Sequence, residues 1–537
     1  MKLLLAAVLA GYMTAFGFGG EIDEMSRSDG VLASGAAQAS HRGVYQVALE
    51  SGGHFGNPYL DVDFTVTFTR PDKTRVAVEG FFDGDRSFKA RAYCDMTGRW
   101  TWTSDSNVMG LDGKSGVFQV APSSQPGKLR KHPRDPHQFA YDNGDWFLHV
   151  GDTGYRYVVQ TEPKWREYID QAAQMGATKI RTWFCQSRSG VEILLTKDRR
   201  ELNLPYWQEV DRRVLYALEH HPRVILKLIV YGEDTAELLR YGRGDRASQR
   251  IASYAQARFS SLPNVMWCIS NDRETVGDGQ KLEGRRVPAS VIDRIGRDMA
   301  GREPWGTLLT NHQARFTGYN FVDARWSDVI TLEHLDAVDG ILLQKYRQIG
   351  DDPVVNDEDR YELYRPPQHP RYFFRRLMWS SLLSGGHATY GGLKTYEPYD
   401  GDQRGVQGYY DAKAAGKLVG GADDFVHIHK FFRDSGLTLV EMVPDPTLAG
   451  SDPSRANCIH DKTSYIVYVA NPSGDKPESD DASATATAVT IKLPAGDYRA
   501  KWFQPTSGNW TEAQPVAGGQ QTLPTPGSGD WVLWLTR

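Results

Sequence analysis

Two stretches place acid side chains where an apolar run ends. In Asn264 to Asp272, NVMWCISND, five apolar residues from Val265 to Ile269 give way to Ser270, Asn271 and Asp272. In Pro353 to Glu358, PVVNDE, a shorter apolar run empties into Asn356, Asp357 and Glu358. A continuous apolar run suits a parallel strand buried on both faces, and the change to polar side chains marks its carboxyl end. Carboxyl groups carried to one place by two such strands are equipped for general acid/base and nucleophilic chemistry. Asp272 and Glu358 are the predicted pair.

For the two to meet, the intervening chain must supply strands that run the same way, with helices between them. WFLHVGDTG predicts a first strand ending at Asp152, and KWREYIDQAAQMG an amphipathic helix closed by Gly176. TKIRTWF, RVILKLIVYGED and the Asn264 stretch continue the series, followed by strands at 307–311 and 329–332, PVVNDE and GHATYGG. Most are separated by helical patterns. The expected architecture is multidomain: a central (β/α)8 TIM barrel over 139–437, flanked by an N-terminal β-sandwich (41–121) and a C-terminal β-sandwich (438–537). The N-terminal part shows period-two alternation and turn dipeptides such as Asp83-Gly84, and alternation returns in SYIVYVA and WVLWLTR. Residues 122–138, rich in Pro, Ser, Gly and Lys, read as a linker, and 471–487 as a mobile polar loop.

Composition narrows the function classes. A length of 537 residues accommodates two or three domains. The net charge of -5, with Lys and Arg spread along the chain, supplies no basic stripe for nucleic acid. Lys2 followed by an apolar run from Leu3 to about Phe18 predicts a signal segment over 1–20, shorter than a membrane span, hence a secreted or periplasmic protein. Cys94, Cys185, Cys268 and Cys458 lack metal-ligand spacing and are expected as buried thiols. The 14 Trp and 26 Tyr leave rings available either for domain packing or for stacking on a flat ligand.

Sorted by strand end, the polar residues are Asp152 on the first strand, Arg181 and Trp183 on the second, and Tyr231 after the third. Asn271 and Asp272 follow the fourth, His312 the fifth, Glu333 and His334 the sixth, Glu358 the seventh, and His387 and Tyr390 the eighth. So many polar groups on one face make sense as a pocket. Carboxylates on strands four and seven sit on opposite walls, as glycosidic cleavage requires: one acid protonates the leaving oxygen and the other carboxylate meets the anomeric carbon. Asp272 has Glu274 as an alternative acid, and Asp152 serves equally as a turn cap. His312, His334 and His387 do not lie at zinc-ligand spacing on one element, so neither metal nor cofactor is expected. The expected partner is a poly- or oligosaccharide. A sugar-binding protein without catalysis, and a polysaccharide lyase with a Tyr or His base, are the alternatives.

FFDGDRSFKARAYCDMTGRWTWTSDSN resembles the N-terminal sandwich found ahead of apiosidase-like glycoside hydrolases. FLHVGDTGY, NVMWCISND, DPVVNDEDRYE and GGHATYGG resemble that group's barrel, and YRAKWFQPTSGNW its C-terminal sandwich. Such barrels are similar to clan A retaining hydrolases. The resemblance implies Asp272 as acid/base, Glu358 as nucleophile, Asn271 on the sugar 2-hydroxyl, and Arg181 bonded to the nucleophile. GDTGY differs from the GDTAW associated with apiosidases, so apiose is not implied as the sugar.

Overall fold

The computed structural model describes residues 31–52, 55–158, 164–185, 190–315, 317–363, 366, 368–392, 407–450, 456–472 and 480–537. The predicted signal segment lies outside them, as do residues 473–479 of the predicted loop at 471–487. Of that loop, Asp481–Ser483 form one 3-10 turn and a long strand begins at Ala486.

Eight parallel strands form the centre: β1 (Gly151–Thr153), β2 (Lys179–Trp183), β3 (Ile225–Ile229), β4 (Val265–Cys268), β5 (Leu309–Thr310), β6 (Ile330–Glu333), β7 (Val354–Glu358) and β8 (His387–Tyr390). Their order, β5-β4-β3-β2-β1-β8-β7-β6, is that of a barrel opened at one seam. The seam between β5 and β6 is bridged by side chains: Thr310 Oγ1 donates to the Val329 carbonyl at 2.6 Å, and the Leu309 N–H to Asp328 Oδ2 at 2.9 Å. Burial on both faces explains the apolar runs. All five residues of β3, ILKLI, are buried, and Lys227 is tolerated there because an acid meets it at the barrel axis.

Helices cover the outside. In α1 (Trp165–Gln174), Tyr168, Ile169 and Ala172 face the strands. The helix Arg246–Phe259 begins where the Asp245 carboxylate accepts the Ser248 N–H at 2.8 Å, and it buries Ile251, Ala252, Ala255 and Phe259.

The linker expected at 122–138 is corrected. Leu129–His132, Asp135–Tyr141 and Trp146–Phe147 form a three-stranded antiparallel sheet. Its Leu129, Phe139, Tyr141 and Phe147 pack under the barrel against Ile225, Met266, Leu308, Val329 and Val355, residues at or just before the amino ends of their strands. Composition misleads here because the basic residues are engaged: Lys128 Nζ, buried, donates to Leu262 O at 3.0 Å and Thr307 Oγ1 at 2.8 Å. The sheet is a floor.

Both flanking regions are sheet, antiparallel in the C-terminal one and antiparallel in the N-terminal one except for the edge strands Leu32–Ser34 and Gln38–Ser40, which pair parallel. The N-terminal one stacks a five-stranded and a four-stranded sheet around Val66, Phe68, Trp100 and Phe118. It docks on the helix layer through Asp211, which receives Arg91 at 2.7 Å and Arg258 at 3.2 Å. The C-terminal region is a seven-stranded sheet whose long strand Ala486–Gln504 pairs with both Gln514–Ser528 and Trp531–Thr536. Arg375, on a barrel helix, holds it through Asp530 at 2.7 Å while also bonding Asp424 at 2.8 Å. Cys94, Cys268 and Cys458 are buried free thiols, and Cys185 is buried.

Candidate active site

The carboxyl ends of the strands open on a small set of buried polar groups. In β7 the ladder with β6 shifts: Leu332 pairs with Asn356, but Glu333 pairs with Glu358, so Asp357 is an extra residue. A bulge of this kind breaks the in-out alternation. Consecutive acids thereby both reach the barrel interior. Asp357 points down to the axis, where Lys227 Nζ approaches at 2.6 Å, Thr389 Oγ1 at 2.7 Å and Lys179 also donates. The two lysines hold the Asp357 carboxyl well below the usual range although burial opposes them. Burial pushes Lys179 down to about 8.

Glu358 lies one step above. The Arg181 guanidinium donates to its Oε2, and the Tyr155 hydroxyl to the same oxygen at 3.0 Å. Arg181 also donates to the Asp357 carbonyl and to Asn271 Oδ1 at 3.3 Å, and lies 4.7 Å from the Tyr155 ring centre. Asn271 Nδ2 in turn donates to Tyr155 Oη at 3.1 Å and Asp272 Oδ1 at 3.0 Å. Trp183 stacks on the Tyr155 ring at 4.2 Å and fixes it.

Asp272 is placed by its backbone. Its φ of +50° is in the left-handed region, which Asp tolerates better than most residues. The preceding Asn271 N–H is tied to Gly232 O at 2.7 Å. His312 comes from the end of β5, with Nδ1 3.2 Å from Asp272 Oδ1 and Nε2 3.8 Å from Glu358 Oε2. Nε2 lies 3.5 Å from Arg181 Nη1, and Nδ1 faces both Asp272 Oδ1 and the Asp272 N–H, the latter at 3.4 Å. Burial and Arg181 lower the His312 pKa, which keeps the ring neutral.

Glu333 closes the group from β6. Arg315 Nε is 2.7 Å from its Oε1, and the Arg315 N–H donates to Oε2 at 2.8 Å. Burial, then the neighbouring Asp272 and Glu358, raise the Glu333 carboxyl well above the ordinary value. For Asp272 burial acts upward too, but the His312 hydrogen bond and the Arg181 charge hold it low. Burial raises the Glu358 carboxyl, and Arg181 pulls it back. Three carboxyl groups therefore face two guanidinium groups and a neutral imidazole.

Arg181, Asn271, Asp272, His312, Glu333 and Glu358 thus meet at the mouth, and Trp183 supports them. His334 is at the rim, its N–H donating to Glu358 O at 3.0 Å and its Nδ1 3.1 Å from Leu335 O. The other four expected residues are corrected. The Asp152 side chain faces the helix layer, where Tyr168 donates to it at 2.7 Å, because it alternates with Gly151 and Thr153. Tyr390, level with Asp152, likewise turns outward, to Glu362 and the rings of Phe374 and Phe425. Tyr231 reaches Ser248 O at 2.7 Å behind the barrel. His387 begins β8 instead of ending it, and so lies at the floor, 5.1 Å from Phe139 and 5.2 Å from His149. Glu274, the alternative acid, pairs with Arg286 on an outer ribbon. Tyr155, Arg315 and Asp357 escaped the sequence reading: the first two follow the strand ends by two and five residues, and Asp357 is inward only because of the bulge.

One atom from each of Asp272, His312, Glu333 and Glu358 can be chosen so that all lie within 4.8 Å. A cation there would have to displace Arg181 from Glu358 and Arg315 from Glu333, so the donor set suits a proton better than a metal. The three histidines considered for zinc do not converge, since His387 is at the opposite end from His312.

A parallel eight-stranded barrel with acids from β4 and β7 converging over its carboxyl end defines a glycosidase of the barrel type. Residues 134–437 match the family described as apiosidase-like, catalytic domain, and the chain belongs to that family. Residues 42–107 match a domain of unknown function, DUF5060. A putative glycoside hydrolase from Bacteroides vulgatus ATCC 8482 is similar in fold, with 16% identity and a TM-score of 0.74 over 93% of this chain and 100% of that one. A glycoside hydrolase family 5 structure from the same organism shares 15% identity with a TM-score of 0.58, over 76% of this chain and 94% of that one. No curated protein matches the chain. Among the described residues no helix is long and apolar enough to cross a membrane.

Proposed function

We propose that the protein is an exported, retaining O-glycoside hydrolase acting on plant, algal or microbial polysaccharides or oligosaccharides derived from them. One observation carries the mechanism: carboxyl oxygens of Asp272 and Glu358 come within 4.8 Å of each other. Retention needs carboxyl groups about 5 to 5.5 Å apart, whereas inversion needs roughly 6.5 to 9.5 Å to admit a water. In the first step Glu358 attacks the anomeric carbon and the glycosidic C–O bond breaks, its oxygen taking a proton delivered by Asp272. In the second, water gives a proton to Asp272 and its oxygen displaces Glu358 from the sugar. Tyr155 and Arg181 hold the attacking carboxylate, and Asn271 is placed for the 2-hydroxyl. The apolar run after Lys2 supports export.

The test is a panel of aryl glycosides and polysaccharides, with product stereochemistry followed by NMR. On a substrate cleaved by the parent, Glu358→Ala and Asp272→Ala each lose roughly 10²-fold or more in turnover. Near-parental rates in either variant refute the assignment, and products with a new ultraviolet-absorbing double bond would make the protein a lyase.

A further inference from the structure

We propose that the N-terminal sandwich and the barrel together form a second carbohydrate site, a groove between the strand Arg75–Glu79 and the helix Arg246–Phe259 that holds a neutral oligosaccharide without cleaving it. Its ligand class rests on the glycosidase reading above, while the site lies apart from the mouth.

The groove consists of two adjoining cavities of about 260 and 230 Å³, which share Glu79, Ser253 and Ala257 as walls. Together they fall in the range of about 300 to 1,000 Å³ common to small-ligand sites. The upper cavity lies beside Arg250 and the lower beside Gln256 and Ser261. Since the helix brings the chain back from the carboxyl end of β3 to the start of β4, the groove runs down the flank of the barrel.

One wall is backbone. Arg75–Glu79 is an edge strand, pairing with Phe64–Thr69 at the end of the five-stranded sheet. The Gly80 N–H bonds Phe64 O at 2.8 Å and the Arg70 N–H bonds Thr74 O at 2.9 Å. In an antiparallel ladder the bonded pairs alternate, so the N–H and C=O groups of Ala77 and Glu79 point the other way. Both residues line the lower cavity. The opposite wall adds side-chain donors. Ser261 is 2% exposed, and among the described residues its Oγ has no hydrogen-bond partner; nor has the buried Nη2 of Arg302. Buried donors left unpaired are costly, and ligand oxygens remove that cost. In the upper cavity the half-buried Tyr59 sets an aromatic ring beside Asp63 and Arg250. Rings next to polar side chains suit a sugar, which has apolar faces and a rim of hydroxyls.

Charge selects among glycans. Asp63 and Glu79 balance Arg250 and Arg302, and Arg91 at the back of the lower cavity is matched by Asp211 at 2.7 Å. Walls balanced in this way favour neither a polyanion nor a polycation. A peptide strand added to the edge is the rival occupant. The edge strand has 5 residues with Arg75 and Glu79 at its ends, and a short strand with terminal charges blunts such addition.

Hydrogen exchange of the full-length Glu358→Ala chain, which leaves glycans uncut, tests the site. The Ala77 and Glu79 amides exchange freely until a ligand covers them. The probes are neutral hexasaccharides of the β-glucan, xylan, mannan, galactan and arabinan types, a hexagalacturonate and an extended Val/Thr-rich peptide. At least one neutral hexasaccharide should slow exchange over 75–80 by about tenfold or more, with no slowing by the galacturonate or the peptide. Combining Glu79→Ala with Arg302→Ala should raise the concentration needed at least about tenfold; the exposed Glu79→Ala alone reads the same shift should the pair not fold. Absence of slowing with every neutral probe, slowing by the galacturonate or the peptide alone, or slowing that survives both substitutions unchanged overturns the proposal. Exchange needs no turnover, so a failed hydrolase reading shows separately, as absence of product from every glycoside with the parent chain.

Discussion

The mouth and the floor of the barrel both bury histidines, yet only one of them is built for chemistry. At the floor, His149 and His387 face each other across 5.2 Å with Phe139 beside them, and His387 Nε2 meets the His137 carbonyl at 3.3 Å. Burial drives the His387 pKa down to about 3, so the ring stays neutral and packs as an aromatic. At the mouth, His312 bonds Asp272 and stands within reach of Glu358 and Arg181. The residue type is the same. Of the two ends, the mouth is the one where unlike charges converge on the ring.

Between the two ends, Asp357 with Lys179 and Lys227 forms a layer that belongs to neither. Asp357→Asn should give the largest loss of stability of the three changes argued here. It leaves two buried ammonium groups without their acid, and breaking a buried ion pair from one side costs about 3 to 5 kcal/mol. Denaturant midpoints of parent and variant measure it. An unchanged midpoint would mean that the lysines are satisfied without Asp357, and that the mouth does not stand on a charged layer.

Asp152 sharpens the comparison on the outward side of the strands. Burial pushes its carboxyl up to about 7, against roughly 3.9 in an unfolded chain. The fold thus prefers the protonated form, and stability is lost as pH rises from about 4 to 7, with no further loss above that. Asp152→Asn removes the titration while keeping an acceptor for Tyr168. Relative to the parent, the variant should gain stability between pH 4 and pH 8, by ~4 kcal/mol at the most. Thermal melts at the two pH values decide it. A constant difference would mean that Asp152 is ionised in the fold and that its outward orientation needs another account.

The barrel and its paired acids were legible because parallel strands buried on both faces must be apolar until they end, so NVMWCISND and PVVNDE announce their own polarity. What sequence could not show was direction at a strand end. Asp152 and Tyr390 sit on the right strands with the wrong parity, and His387 belongs to a strand whose start was read as its end. The bulge at Asp357 was invisible for the same reason: register depends on the partner strand. The floor sheet was hidden by composition, since nothing in LRKH says that Lys128 beside it will be satisfied by a carbonyl and a hydroxyl from distant loops.

His387→Leu carries the smallest expected effect and the sharpest contrast. The neutral ring packed among Phe139 and His149 contributes volume and one hydrogen bond to the His137 carbonyl, so an apolar replacement of similar size costs about 1 to 3 kcal/mol. Among the described residues no group at the floor hydrogen-bonds Glu358 or Asp272, so turnover on any glycoside the parent cleaves should be unchanged. A loss of turnover larger than the loss of folded protein would show that the two ends are coupled through the lysine layer, and the division between a packed floor and a reactive mouth would no longer hold.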